Sequence, residues 1–208
     1  MEIKSLIRPP EWTRKLYPGS VWSSGEERCQ LTFDDGPGTI TESLLDWLEN
    51  WKIQAHFFCT PQHVVEKPEI AVEIVRRGHL LGTHFLHHRS YWLCSKSKFI
   101  DDLSKSIDII EDKTGFRVTT CRAPYGRILP YQESWIAEAQ LRHWFWSLNS
   151  YDFKAQSEME LFNRIQRNIN KGDVILFHDG EIYYPNLISI LDRLLNTGIS
   201  FVSMPSNS

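Results

Sequence analysis

Two adjacent aspartates, Asp34 and Asp35, stand where an alternating apolar and polar run, residues 29–33, gives way to Gly36-Pro37-Gly38. The run reads as a short strand and Gly-Pro-Gly as a turn, so both carboxylates sit at a strand exit. Neighbouring acids repel, and such a pair calls for a cation, a shared proton or open solvent. Farther along, His84 and His88 are spaced i, i+4, so a single helical turn would aim both imidazoles at one point. His87 leaves the register open, because His84 and His87 would also share a face. Two imidazoles and one carboxylate of the aspartate pair would make three metal ligands and leave a position for water, the pattern of a catalytic site. Alone, an Asp-Asp-Gly turn and a His-rich loop are also ordinary surface features. Their shared position argues for more. Arg122, Asp152 and His178 also follow apolar segments, at the edge where parallel α/β folds build their sites.

The segments that must place these groups alternate between two periodicities. Thr39 and Glu42 predict a capping box opening a helix over 40–51, whose apolar residues form one broad face. A buried strand is expected at 55–59, and a helix from Pro68 to residue 77 closed by Gly78. A strand at 79–84 leads into the His-rich loop. Helical spacing over 98–114 ends at Gly115. Strands are expected at 118–122, 142–148, 173–177 and 199–202, and helices at 134–139, 159–169 and 187–195. Residues 1–28, with several prolines and Trp12, Leu16, Tyr17 and Trp22, read as an irregular arm packed by its aromatics. Alternating strands and helices of this kind predict an α/β fold with a parallel sheet, either a small irregular barrel or an open doubly wound sheet. No glycine-rich phosphate fingerprint follows the first strand, which counts against a nucleotide-binding version.

At 208 residues, with 41% hydrophobic and 24% charged side chains, the sequence has the composition of one ordinary globular domain. A formal net charge of −3 gives no support to nucleic-acid binding. No run is long and apolar enough for a signal peptide or a membrane span, so the expected location is the cytoplasm, including the inner membrane face. Cys29, Cys59, Cys94 and Cys121 form no close pair and read as free thiols.

Five segments in order carry a resemblance to a known family. They are Thr32 to Pro37, Gly78-His79 through Gly82 with His84 and His88, Arg122-Ala123-Pro124-Tyr125-Gly126, Asn149 to Phe153, and Leu176-Phe177-His178. Over residues 29–202 the chain resembles NodB-type polysaccharide deacetylases, carbohydrate esterase family four. The resemblance implies a distorted (β/α)7 barrel as a single catalytic domain over 29–208, with 1–28 as an arm packed on it. It implies hydrolysis of an N-acetyl group from an amino sugar or N-acetylated glycan, with one divalent metal ion, zinc ahead of cobalt, manganese or nickel. It assigns Asp35, His84 and His88 as metal ligands, Asp34 as general base and His178 as general acid. Arg122 would orient the base, Asp152 would pair with His178, and the Tyr125 backbone N–H would help hold an oxyanion. Pro124, Tyr125, Phe153 and Leu176 would contact substrate. The sequence departs from the family pattern at Phe85, where a loop-stabilising hydroxyl is usual, and at Asn149 and Phe153. Two other readings compete: a catalytically silent glycan-binding member, and a deacylase of a small or lipid-linked sugar. A magnesium phosphoryl-transfer site is disfavoured, since hard magnesium prefers all-oxygen ligands.

Overall fold

The computed structural model describes residues 7–180 and 186–205. The first residues of the expected arm therefore lie outside the described residues. Seven parallel strands form one curled sheet in the order β5-β4-β3-β2-β1-β7-β6. They are β1 Gln30–Asp34, β2 Ala55–Cys59, β3 Leu80–Thr83, β4 Thr120–Cys121, β5 Arg142–His143, β6 Leu148–Asn149 and β7 Val174–His178. The helices are α1 Glu11–Leu16, α2 Thr41–Asn50, α3 Pro61–Glu66, α4 Pro68–Arg76, α5 Lys96–Thr114, α6 Gln132–Glu138, α7 Glu158–Gln166 and α8 Leu187–Asn196. This is the single-domain distorted barrel expected from the sequence. Among the described residues, no helix is long and apolar enough to cross a membrane.

The central strands β1, β2 and β7 are buried along nearly their whole length. Successive side chains of a strand point to opposite faces. Leu31 and Phe33 join the main apolar core, where Phe33 stacks on Phe57 at 5.1 Å and Phe177 at 5.9 Å. Thr32 and Asp34 face the other way and meet Arg122, whose Nη1 donates to both at 2.8 Å. One face of β1 is thus core and the other is the start of a polar interior.

The expected strand over 142–148 is two strands at opposite edges of the sheet. Between them Trp144 N–H donates to Cys121 O at 2.9 Å, and Ser147 N–H donates to Val174 O at 3.0 Å. Trp144 also bridges Val21 of the N-terminal segment. This stretch therefore spans the gap between the edges and closes the barrel. Residues 199–202 do not form the expected last strand; Phe201 and Ser203 make only isolated bridges, to Cys29 and Ile53. The capping box is also corrected. Helix α2 starts at Thr41 with Ile40 as its N-cap and no side-chain cap bond. The N-terminal segment is less irregular than expected, since it contains α1. Its Trp12 is 63% exposed, whereas Trp22 is buried and stacks on Phe145 at 4.1 Å. Elsewhere the local signals hold: Ser95 Oγ caps α5 by accepting from Lys98 N–H, and Gly115 ends it at φ 72°. Cys29, Cys59, Cys94 and Cys121 are free.

Phe145 is the apolar anchor of the closing stretch, buried against Trp22 and Tyr17. Phe145→Ala is expected to cost about 3–5 kcal/mol, as for a large aromatic removed from a packed core. Urea unfolding would measure it. A loss below about 1 kcal/mol would mean that closure does not depend on this contact.

Candidate active site

The polar groups picked out from the sequence converge at the carboxyl ends of the strands, in a cleft of about 570 Å³. Because the 142–149 segment makes two strands, Asp152 follows the sixth strand and His178 ends the seventh. Asp34 and His178 are register partners on adjacent strands β1 and β7. Their backbones are thus held about 4.8 Å apart by the sheet itself.

Asp34 is buried, and its Oδ1 accepts from Arg122. Burial pushes its carboxyl above the usual range, opposed by the Arg122 guanidinium and by His178. Arg122 is 0% exposed and spends its other donors on Phe145 O at 2.8 Å and Trp144 O at 3.4 Å. His178 is held by a single carboxylate. Its Nδ1 lies 2.8 Å from Asp152 Oδ1, and its backbone N–H donates to Asp152 Oδ2 at 2.7 Å. Burial lowers the imidazole pKa, but Asp152, with Asp34 and Asp35, outweighs that and raises it to about 9. At neutral pH the ring is therefore cationic, with Nδ1 occupied and Nε2 left as a proton donor. Arg164 supports this arrangement from α7, donating to Ser150 O and Tyr151 O just before Asp152.

Asp35, His84 and His88 bring a carboxylate oxygen and two imidazole nitrogens within 4.8 Å of one another. Asp35 Oδ1 is 3.5 Å from His84 Nε2 and 3.4 Å from His88 Nε2. Donors about 2.0–2.1 Å from a tetrahedral ion stand roughly 3.3 Å apart, so the set fits such an ion. Asp35 Oδ1 is moreover buried without a hydrogen-bond partner, as an oxygen reserved for a cation would be. Burial drops the His84 pKa to about 3 despite the nearby Asp35, which keeps it in the neutral form that ligates metals. His87 is exposed and lies outside this cluster, which favours His84 with His88.

The two imidazoles meet through a loop, not through the helical turn their spacing suggests. Phe85 turns that loop with φ 65°, a conformation costly for a bulky residue. Its ring compensates by burial against Tyr91 at 4.7 Å and Phe99 at 5.3 Å. The hydroxyl that Phe85 cannot supply comes from Thr83, whose Oγ1 accepts the Phe85 N–H at 3.0 Å. Asp35 is likewise in the left-handed region at φ 71°. Its carbonyl lies 2.5 Å from His63 Nδ1, on the α3 helix that was not foreseen.

Tyr125, Phe153 and Leu176 line the cleft, whereas Pro124 is buried and lies outside its lining. Tyr125 has φ 60°, a strain that tends to persist at functional sites. Of the departures from the family pattern, Asn149 Oδ1 accepts the Tyr151 N–H at 2.9 Å and shapes the turn before Asp152. Phe153 packs edge-on against His178 at 5.1 Å.

Sequence reasoning missed Arg127, Trp146 and Lys154, which also line the cleft, and it gave no role to Asp179. Asp179 is fully buried. Its Oδ2 accepts from Thr41 Oγ1 at 2.7 Å, and Thr41 Oγ1 in turn accepts the Gly38 N–H at 2.7 Å. A Cβ on Gly36 would stand 2.4 Å from Asp179 Oδ1, and one on Gly38 would stand 1.8 Å from Asp179 O. Those two glycines let the turn after Asp35 lie directly on the end of β7. The Asp179-Gly180 pair beside His178 was the available signal.

With this geometry in hand, comparison with known proteins identifies the class. A polysaccharide deacetylase family profile matches residues 23–144, and the chain belongs to that family. Over 204 residues it is 28% identical to a peptidoglycan-N-acetylglucosamine deacetylase of Bacillus cereus, covering 95% of this chain and 74% of that one. It is 29% identical to the peptidoglycan-N-acetylmuramic acid deacetylase PdaC of Bacillus subtilis, covering 84% of this chain and 37% of that longer protein. The solved structure of the Bc1960 peptidoglycan N-acetylglucosamine deacetylase superposes with a TM-score of 0.83 at 28% identity, over 95% of both chains. BA3943 of Bacillus anthracis, described as a CE4 family pseudoenzyme, shares the fold alone, with a TM-score of 0.79 at 22% identity over 88% of this chain and 66% of that one.

Asp179 yields a pH prediction. Burial, reinforced by Asp35 and Asp34, raises its pKa from 3.8 to about 7. The folded state of the metal-free protein thus favours the neutral acid, while the unfolded chain ionises near pH 4. Stability from this group is fully present below the unfolded pKa and is lost as pH rises toward 7. Asp179→Asn, which cannot ionise, is expected to raise the melting temperature of metal-free protein at pH 8 and not at pH 4. An equal shift at both pH values would show that ionisation of Asp179 is not the cause.

Proposed function

We propose that the protein is a metal-dependent carbohydrate N-deacetylase, removing acetyl groups from N-acetylated amino sugars of a glycan. The observation that carries this reading is the pairing of Asp34 with Arg122 and of His178 with Asp152, on adjacent strands beside the Asp35, His84 and His88 cluster. Two imidazoles and a carboxylate suit zinc better than magnesium or calcium. Such an ion would supply Lewis-acid polarisation of the amide carbonyl and acidified water.

The chain's own groups perform the rest. Asp34, fixed by Arg122, whose charge opposes the upward push of burial on its carboxyl, takes the proton of the attacking water. His178, cationic up to about pH 9, delivers a proton through Nε2 to the departing amine nitrogen. Asp152 orients that ring and stabilises its charge. The Tyr125 backbone N–H donates to the developing oxyanion, and Leu176 and Phe153 form the apolar wall against the acetyl methyl. Pro124, buried behind Tyr125, sets that backbone and does not touch substrate. The named relatives support peptidoglycan-type glycans as first substrates, with short N-acetylglucosamine oligomers and lipid-linked sugars beside them. A silent glycan-binding role is disfavoured because base, acid and all three ligand candidates are present.

Metal analysis of purified protein is expected to find one zinc per chain. His84→Ala and His88→Ala each abolish it, and His87→Ala leaves it intact. Loss of metal in His87→Ala alone would overturn the ligand set.

Acetate release from N-acetylglucosamine oligomers and peptidoglycan fragments tests the reaction itself, with and without zinc. Asp34→Asn and His178→Ala should keep the fold and the metal but lose about a hundredfold to ten-thousandfold in kcat. A loss of about tenfold or less in both would reject the assigned roles, and zinc-loaded protein inactive on the whole panel would reject the reaction.

A further inference from the structure

The cleft carries two cations that the deacetylation chemistry does not use. Arg127 follows the Pro124–Gly126 turn after β4, and Lys154 ends the Asp152–Lys154 turn after β6. Both line the cleft. Several cations elsewhere pair with acids, such as Arg77 with Asp46 and Glu49, Lys98 with Asp102, and Arg193 with Glu158; others, such as Arg28 and Arg117, meet neutral side chains. Among the described residues, Arg127 and Lys154 have no carboxylate partner, although the chain as a whole is net acidic.

Each cation is instead held over a pair of aromatic rings. The Arg127 guanidinium lies 5.4 Å from the Trp92 centroid and 5.6 Å from that of Tyr125. Lys154 Nζ lies 5.4 Å from the Tyr151 centroid and 5.7 Å from that of Phe153. These rings in turn touch the reaction centre, Tyr125 against His88 at 4.6 Å and Phe153 against His178 at 5.1 Å. A cation over a ring face is steered by the ring but keeps hydrogen-bond donors free for an oxyanion. Trp92 is 47% exposed and Tyr125 56% exposed, so both rings remain partly accessible from solvent.

We infer that Arg127 and Lys154 form a subsite for an oxyanion substituent, carboxylate or phosphate, on a sugar adjoining the one deacetylated. The cleft then selects acidic glycans over neutral ones. This inference rests on the deacetylase reading for its choice of sugar ligands, but its test reads binding as well as turnover.

Binding is measured by calorimetry with zinc-loaded Asp34→Asn protein, and acetate release with wild-type enzyme. The probes are an alternating N-acetylglucosamine and N-acetylmuramic acid tetrasaccharide, the same compound with its carboxyls reduced to alcohols, and an N-acetylglucosamine tetramer bearing a phosphate monoester. The acidic tetrasaccharide should bind roughly tenfold more tightly than its reduced form, as expected for one or two charge-assisted contacts at an open site. The Arg127→Gln, Lys154→Gln double variant should bring that ratio close to one, and Arg127→Lys should retain part of it. Raising the salt concentration should compress the ratio in the wild-type cleft. Preference for the phosphorylated tetramer alone would identify the oxyanion as phosphate. Equal binding of charged and reduced ligands, or a preference that survives in the double variant, would overturn the subsite. Selective binding without acetate release would retain the subsite and reject the deacetylase reading; acetate release without selectivity would do the reverse.

Discussion

The buried guanidinium of Arg122 is the interaction on which the rest depends. An isolated ion pair taken out of water returns little stability, because desolvation offsets the Coulombic attraction. Here the cation is fully coordinated: Thr32 and Asp34 on β1, the carbonyls of Trp144 and Phe145, and the face of Phe58 at 4.3 Å. The same side chain fixes the Asp34 carboxylate and receives the stretch that closes the barrel. Closure of the sheet and orientation of the candidate base are therefore one structural event. Loosening either would leave a buried charge without its partner, a defect that typically costs about 3–5 kcal/mol.

Around that pair, residues of one chemical type are set to different states by their neighbours. Asp34 meets a permanent cation, Asp152 a titratable one, Asp35 an arrangement of imidazoles, and Asp179 a hydroxyl. His178 is driven cationic by Asp152, while His84, more deeply buried, is driven neutral. Opposite environments for like groups are how a site holds an acid and a base at one pH. In the proposed reaction that separation lets one histidine donate a proton while another remains a ligand.

Much of this was legible because the groups concerned lie in short contiguous stretches. Asp34-Asp35 before Gly-Pro-Gly, His84 with His88, and His178 after an apolar run each carry their position in their neighbours. Helix α5 was legible for the same reason, since Gly115 is a local stop. What escaped were properties of distant contacts. Residues 142–148 look like one strand because nothing local reveals that its two ends belong to opposite edges of the sheet. Residues 199–202 have strand-like composition but find only isolated bridges. Thr39 satisfies the capping pattern, yet the helix begins later, with Thr41 recruited by Asp179 from the far end of the chain. The turn at Phe85 is held by Thr83 and by a ring cluster with Phe99 on α5, neither of which a four-residue spacing can announce.

The register match of Asp34 with His178 has a further consequence. Two side chains on adjacent strands of a five-residue ladder share a separation set by backbone hydrogen bonds, which no surface substitution alters. Tyr125, Arg127, Tyr151, Phe153 and Lys154 stand instead on turns after strands of only two residues. Chemistry and recognition are thus carried by parts of the barrel with different tolerance for change. In the proposed reaction those turns can change without moving the candidate base and acid, whose spacing is set by the sheet.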